Sequence, residues 1–175
     1  MDSGVAAVLG AAIASAGSAL VATFTAFSSK AQIRAQIAAS HAQWLLQSRQ
    51  QAYRDLDTSA WQFENAWWQL GVALAGNHVM QEMYTRTVRL YAELEAAAGS
   101  VRLVGPGSVI EAAESMMRHL RDVDTQGTRW YRASKGVNRQ ELQKAFLEGH
   151  AGCREQIGVF REAARSALES VGSGA

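Results

Sequence analysis

The stretch IRAQIAASHAQWLLQSRQQAYRDLDTSAWQFENAWWQL, residues 33–70, decides the fold. Its members Ile33, Ile37, Trp44, Ser48, Ala52, Leu56, Phe63, Trp67 and Leu70 are separated by three, four or multiples of these. That is the period of a helix with one apolar face. No glycine or proline interrupts it, so a single long helix is predicted to run to about residue 74. Between its ends lie Gln32, Gln36, Gln43, Gln47, Gln50 and Gln51, neutral helix formers that suit a solvated face.

Upstream, residues 5–27 read VAAVLGAAIASAGSALVATFTAF and contain no charge. As a helix this segment is about 34 Å long, enough to cross a hydrocarbon core. It is read as a transmembrane span that continues directly into the long helix. A signal peptide would begin with positive charge, yet the only charge before the segment is Asp2; AIASA nevertheless offers a cleavage pattern. A further alternative is a small-residue helix buried in a soluble assembly. At 100° per residue, Gly4, Ala7, Ala11, Ala14, Ser15, Ser18, Ala22, Thr25 and Ser29 share one side. Leu9, Ile13, Leu20, Phe24 and Phe27 gather on the other. Bulky residues suit lipid, and a small face lets another helix approach closely. Self-association through that face is therefore expected; a pore lined by Ser15, Ser18 and Thr25 is the sharper alternative, and packing is preferred to it. Lys30 and Arg34 follow the segment, with Arg49 and Arg54 beyond. The positive side should be cytoplasmic, placing the N-terminus outside and assigning Lys30 and Arg34 to anionic lipid contact.

Downstream, Gly76-Asn77 is a turn signal. A second helix is predicted over 78–98, with Met80, Met83 or Tyr84, Val88, Tyr91 and Leu94 on its apolar stripe. The clearest loop runs from Gly99-Ser100 to Gly105-Pro106-Gly107. Ser108 and Glu111 have the spacing of a capping box for a third helix, carrying Val109, Ala113, Met116, Leu120, Val123, Trp130 and Tyr131, with Gly127 a weak point. Gly136-Val137-Asn138 breaks the chain again. Asn138 and Glu141 then start a fourth helix with Leu142, Phe146, Gly149, Cys153, Ile157, Phe160, Ala164 and Leu168. The predicted fold class is all-α: an N-terminal transmembrane helix at 1–29 continuing into an antiparallel bundle of about four helices at 30–170, then a flexible tail at 171–175.

The composition narrows the function. Net charge is +1 over 175 residues, so nucleic acid is not an expected partner. One cysteine, Cys153, excludes an intramolecular disulfide. His41, His78, His119 and His150 fall on separate elements without HExxH or ExxH spacing. His150 and Cys153 lie one turn apart and could supply two metal ligands, but plain packing is preferred. Gly105-Pro106-Gly107-Ser108 is read as an ordinary helix start rather than an anion cradle. No phosphate loop, nucleophile elbow or acid pair is present. No catalytic residue, cofactor or metal is expected, and the protein is read as non-enzymatic. Arg118, Arg121, Arg129, Arg132, Lys135 and Arg139 form a basic stretch broken by Asp122 and Asp124, read as a solvated face. Trp67 fits the apolar stripe of the long helix; Trp61 and Trp68 fall off it and are the candidate partner contacts.

The charge-free Ala/Gly segment followed by KAQIRAQIAASHAQWLLQSRQQAYRDL resembles small uncharacterised actinobacterial single-span membrane proteins. Their Gln/Arg-rich juxtamembrane helix often ends in R-x-x-A-Y, matched here by Arg49, Ala52 and Tyr53. The resemblance covers residues 5–57, implies a membrane anchor and carries over no catalytic residue. The expected function is a membrane-anchored scaffold or assembly component. Its expected partners are other copies of itself, the lipid bilayer and a further membrane or cytoplasmic protein. A pore-forming effector and a soluble helical interaction module are the alternatives.

Overall fold

A computed structural model describes residues 32–34, 36–76, 78, 80–133 and 138–170 with their side chains, and the helical backbone of 3–31, 35, 171 and 172. The elements are α1 (Ser3–Ala75), α2 (Gln81–Val104), α3 (Gly107–Arg132) and α4 (Arg139–Gly172), with no strand among the described residues. The all-α expectation holds. The chain divides into two compact units, Met1–Trp44 and Leu45–Ala175. Among the described residues no helix is long and apolar enough to cross a membrane. The side chains of the expected span at 5–27, of its small face from Gly4 to Thr25, of Lys30 and of residues 171 and 172 lie outside the described residues, as does all of 173–175.

In the second unit the helices run up, down, up and down. Asp57 and Glu64 of α1 meet Arg161 and Arg154 of α4 in descending order, with Tyr53 against Phe160 at the upper end. Arg102, Glu95 and Tyr84 of α2 likewise meet Glu114, Arg121 and Tyr131 of α3. Phe63 and Trp67 of α1 face Tyr91 and Tyr84 of α2, so these neighbours are also antiparallel. Such an arrangement buries one apolar stripe from each helix around a shared core. Leu56, Phe63, Trp67 and Leu70 from α1 are fully buried there, with Leu94, Val101, Met116, Leu120, Phe146 and Cys153. The Gln-rich face of α1 is exposed throughout.

Three local expectations are corrected. The second helix does not end at residue 98: it passes through Gly99 and Ser100 to Val104. Leu90, Leu94, Ala97 and Val101 form a buried line that continues past Gly99, and burial outweighs the roughly 1 kcal/mol helix penalty of one glycine. The helix stops where Gly105 N–H bonds the Val101 carbonyl at 2.8 Å, just before the only proline. The core face of α2 is also turned from the expected one. Val88 is 52% exposed, whereas Thr87 and Leu90 are buried. Third, Ser108 does not cap α3. The cap position is Pro106, whose carbonyl accepts from Val109 and Ile110 at 3.0 and 3.1 Å, with no side-chain cap bond. Helix α4 does begin directly after Asn138; Gly136 and Val137 lie outside the described residues.

Two glycines let the helices close on large rings. A Cβ on Gly71 would sit 2.9 Å from Cε1 of Phe146, and one on Gly127 only 2.3 Å from Cζ3 of Trp67. Gly127 is therefore a packing position rather than a weak point. Trp67 is held on its other sides by Phe146 and Tyr84, with centroids at 5.9 and 6.3 Å, and its Nε1–H donates to Asp124 Oδ1 at 3.2 Å.

Asp124 illustrates the electrostatic cost of this packing. Partial burial raises its carboxyl pKa, the Trp67 hydrogen bond opposes that, and Glu95 adds to the rise. A pKa raised on folding gives a stability contribution present at low pH and lost as pH rises through the folded value. The ionised Asp124 thus opposes folding at neutral pH. Asp124→Asn keeps an acceptor for Trp67 and removes the charge. It should melt above the parent at pH 7, and the advantage should shrink as pH falls through the carboxylate range. An advantage independent of pH would contradict this account.

Candidate functional site

The outer seam between α1 and α4 carries the two off-stripe tryptophans and a buried polar cluster. Both tryptophans follow from helix geometry: Trp61 and Trp68 are two turns apart and off the Leu56–Phe63–Trp67 line. They are 56% and 42% exposed, while Trp67 is fully buried. Val72, one turn beyond Trp68, is 57% exposed and extends this outward apolar line.

Beneath it lies Glu64, a carboxylate whose side chain is 6% exposed. Its Oε1 is 3.1 Å from Nε2 of His150, itself 5% exposed, and 2.9 Å from Nε of Arg154. The same His150 nitrogen is 3.4 Å from the Glu64 carbonyl. Both neighbours are acceptors, so Nε2 carries the hydrogen. The imidazole is clamped between rings, with Trp68 at 5.2 Å and Phe146 at 5.6 Å. Burying a carboxylate is costly unless it is paired and hydrogen-bonded, and here a histidine and an arginine supply both. Arg154 is the exposed arm of the cluster at 71%. Glu64 thereby fixes an arginine beside Trp61: Trp61, Glu64, Arg154, Ile157 and Arg161 line one hollow of about 270 Å³.

Glu64→Gln keeps an acceptor for His150 but removes the charge that Arg154 faces. The expected loss is about 1 kcal/mol in denaturant unfolding, rising further in Glu64→Leu, where the buried imidazole N–H keeps only the long 3.4 Å contact to the backbone carbonyl of residue 64. A gain in stability for Glu64→Leu would show that the cluster is not a stabilising pair.

His150 faces Glu64 rather than presenting a ligand pair with Cys153. The thiol is fully buried, and desolvation, with Glu64 and Asp122 nearby, pushes its pKa up to about 12. It stays protonated at neutral pH and is a poor nucleophile there. Among the described residues no group of three or more His, Cys, Asp or Glu could hold a metal ion. The basic residues of α3 face outward: Arg121 bonds the Tyr91 hydroxyl at 3.1 Å and pairs with Glu95 of α2 at 3.6 Å. Arg139 donates to the Leu74 carbonyl, joining the start of α4 to the end of α1. Lys135 lies outside the described residues.

In the N-terminal unit, Ile33, Ile37 and Trp44 are 55%, 63% and 58% exposed, and Arg34 is exposed too. The rings of His41 and Trp44 meet at a tilt of 36°, their centroids 5.9 Å apart. Sequence reading missed Glu64 and its partners. One signal was present: a lone acid inside the aromatic run WQFENAWW, directly after the stripe residue Phe63.

No protein-family model, curated protein or solved structure matches the chain.

Proposed function

We propose that the protein is a non-enzymatic, membrane-anchored helical scaffold that self-associates through its first helix. The charge-free segment at 5–27 would be its single span, with a short N-terminus outside, Lys30 and Arg34 at the cytoplasmic lipid surface and the bundle in the cytoplasm. The observation that carries the reading is the state of the α1 stripe. In sequence, Ile33, Ile37 and Trp44 continue the line of Ala52, Leu56, Phe63 and Trp67. The latter four are buried, yet the former three are more than half exposed. A chain that spaces large apolar residues at helical period and leaves them open presents a seam for another helix. A second copy offers the same seam, which closes an isologous pair without a further partner. The small face at Gly4, Ala7, Ala11, Ala14, Ser15, Ser18, Ala22 and Thr25 would extend this contact within the bilayer. Trp61 and Trp68 are left for another protein.

The test is the mass of the full-length chain in a mild detergent. An oligomer is expected, converted to monomer by Ile33→Asp with Ile37→Asp while the melting of the bundle is unchanged. A monomeric parent, or an oligomer indifferent to both substitutions, rejects the seam. Carbonate extraction that releases the full-length chain from membranes would reject the anchor.

A further inference from the structure

A second hollow of about 460 Å³ adjoins the first along the α1–α4 seam, and the two share Arg161. This volume falls in the roughly 300–1,000 Å³ range of small-molecule sites. Its floor is apolar, made by Phe160 and Leu168 of α4 against the Tyr53 ring of α1, which meets Phe160 edge-on at 6.3 Å. Its rim is basic, with Arg54 on one helix and Arg161 and Arg165 on the other, against a single lining acid, Asp57.

The three arginines are not equivalent. Arg161 Nε donates to Asp57 Oδ1 at 2.7 Å, so that pair is internally neutral. Arg165 reaches only Glu162 on its own helix, at 3.1 Å with both side chains well exposed, a contact of little strength in water. Arg54 has no ion-pair or hydrogen-bond partner among the described residues. One unpaired guanidinium, Arg54, and one held only by an exposed pair, Arg165, therefore stand on the two walls of an apolar floor. Tyr53 is 4% exposed and gives the groove the face of its ring; its hydroxyl is buried without a hydrogen-bond partner, as is Trp130 Nε1.

We propose that this groove binds a single-chain anionic amphiphile, its phosphate or carboxylate head between Arg54 and Arg165 and its apolar chain along Tyr53, Phe160 and Leu168. Guanidinium forks suit such heads because they donate in pairs to planar or tetrahedral oxyanions. The apolar floor supplies what a bare anion site lacks, a surface that gains from covering an alkyl chain. The proposal does not rest on the self-association seam.

Octyl phosphate is the probe, followed by broadening of its phosphorus NMR line on addition of the full-length protein. Inorganic phosphate and octyl glucoside, in the same medium, test the head and the chain separately. Octyl phosphate should bind, and both comparison compounds should bind at least tenfold more weakly. Arg54→Gln with Arg165→Gln should weaken octyl phosphate at least tenfold, the loss expected from even one charge-assisted contact, whereas Arg118→Gln on α3 should leave it unchanged. Leu168→Asp should have the same effect as the arginine pair by repelling the chain and head. Inorganic phosphate binding as well as octyl phosphate would reduce the groove to an anion site and overturn the proposal. Equal binding of octyl glucoside, or binding indifferent to all three groove substitutions, would overturn it as well.

Discussion

Trp67→Ala is expected to destabilise the bundle by about 3–5 kcal/mol, a large fraction of the 5–15 kcal/mol that holds an ordinary domain together. Trp67 is fully buried and touches three other helices: Tyr84 on α2, Gly127 and Asp124 on α3 and Phe146 on α4. Truncation leaves a cavity that rigid neighbours cannot fill, and Asp124 loses the Trp67 donor. The helix preference for alanine recovers well under 1 kcal/mol and cannot compensate. Urea unfolding of the full-length chain, followed by tryptophan fluorescence, measures the loss. A shift below 1 kcal/mol would mean that Trp67 is not the hub of the core.

Gly127→Ala is the second large effect, and its sign opposes local propensity. In an isolated helix the change would stabilise by about 1 kcal/mol. Here the new Cβ would lie 2.3 Å from Cζ3 of Trp67 and 2.6 Å from both Cε3 and Cη2. An indole has no flexible end to retract, and Phe146 and Tyr84 hold its other sides. The expected net loss is about 2 kcal/mol, set by the usual penalty for overpacking. A double-mutant cycle identifies the cause. In a Trp67→Phe background the six-membered ring no longer reaches as far, so Gly127→Ala should become neutral or stabilising. If the loss is the same in both backgrounds, the clash with Trp67 is not its origin.

These two residues show how the levels of the fold divide. Trp67 was assignable to the core from spacing alone, because Leu56, Phe63, Trp67 and Leu70 share one face of any α-helix. Gly127 was not, since a glycine inside a helix looks the same whether it weakens that helix or receives a ring from another. The end of α2 was misread for the related reason that Gly99 and Ser100 resemble a loop locally. Only the burial of Ala97, Ala98 and Val101 against other helices keeps that turn helical. The cap of α3 shifted from Ser108 to Pro106 because the sharp exit of α2 at Gly105 leaves the Pro106 carbonyl in place to start the next helix.

The candidate site divides in the same way. That Trp61 and Trp68 point away from the core was legible in their offset from the stripe. The Glu64–His150–Arg154 cluster was not, because 86 residues separate Glu64 from His150 and no local pattern links them. The α1–α4 groove likewise needed both walls: Arg54 and Arg165 are unremarkable helix-surface cations until the antiparallel pairing sets them on either side of Phe160 and Tyr53.

By itself the sequence determined the all-α class, the unbroken length of the first helix, and which residues of that helix share a face. Those properties depend on contacts three and four residues apart and on backbone propensity, and any chain with this spacing has them. The tertiary structure alone decided which glycines accept rings, where α2 ends, which acid is buried with a histidine, and where two arginines flank an apolar floor. Those features arise between side chains far apart in the chain, where packing and desolvation, rather than local spacing, choose the arrangement.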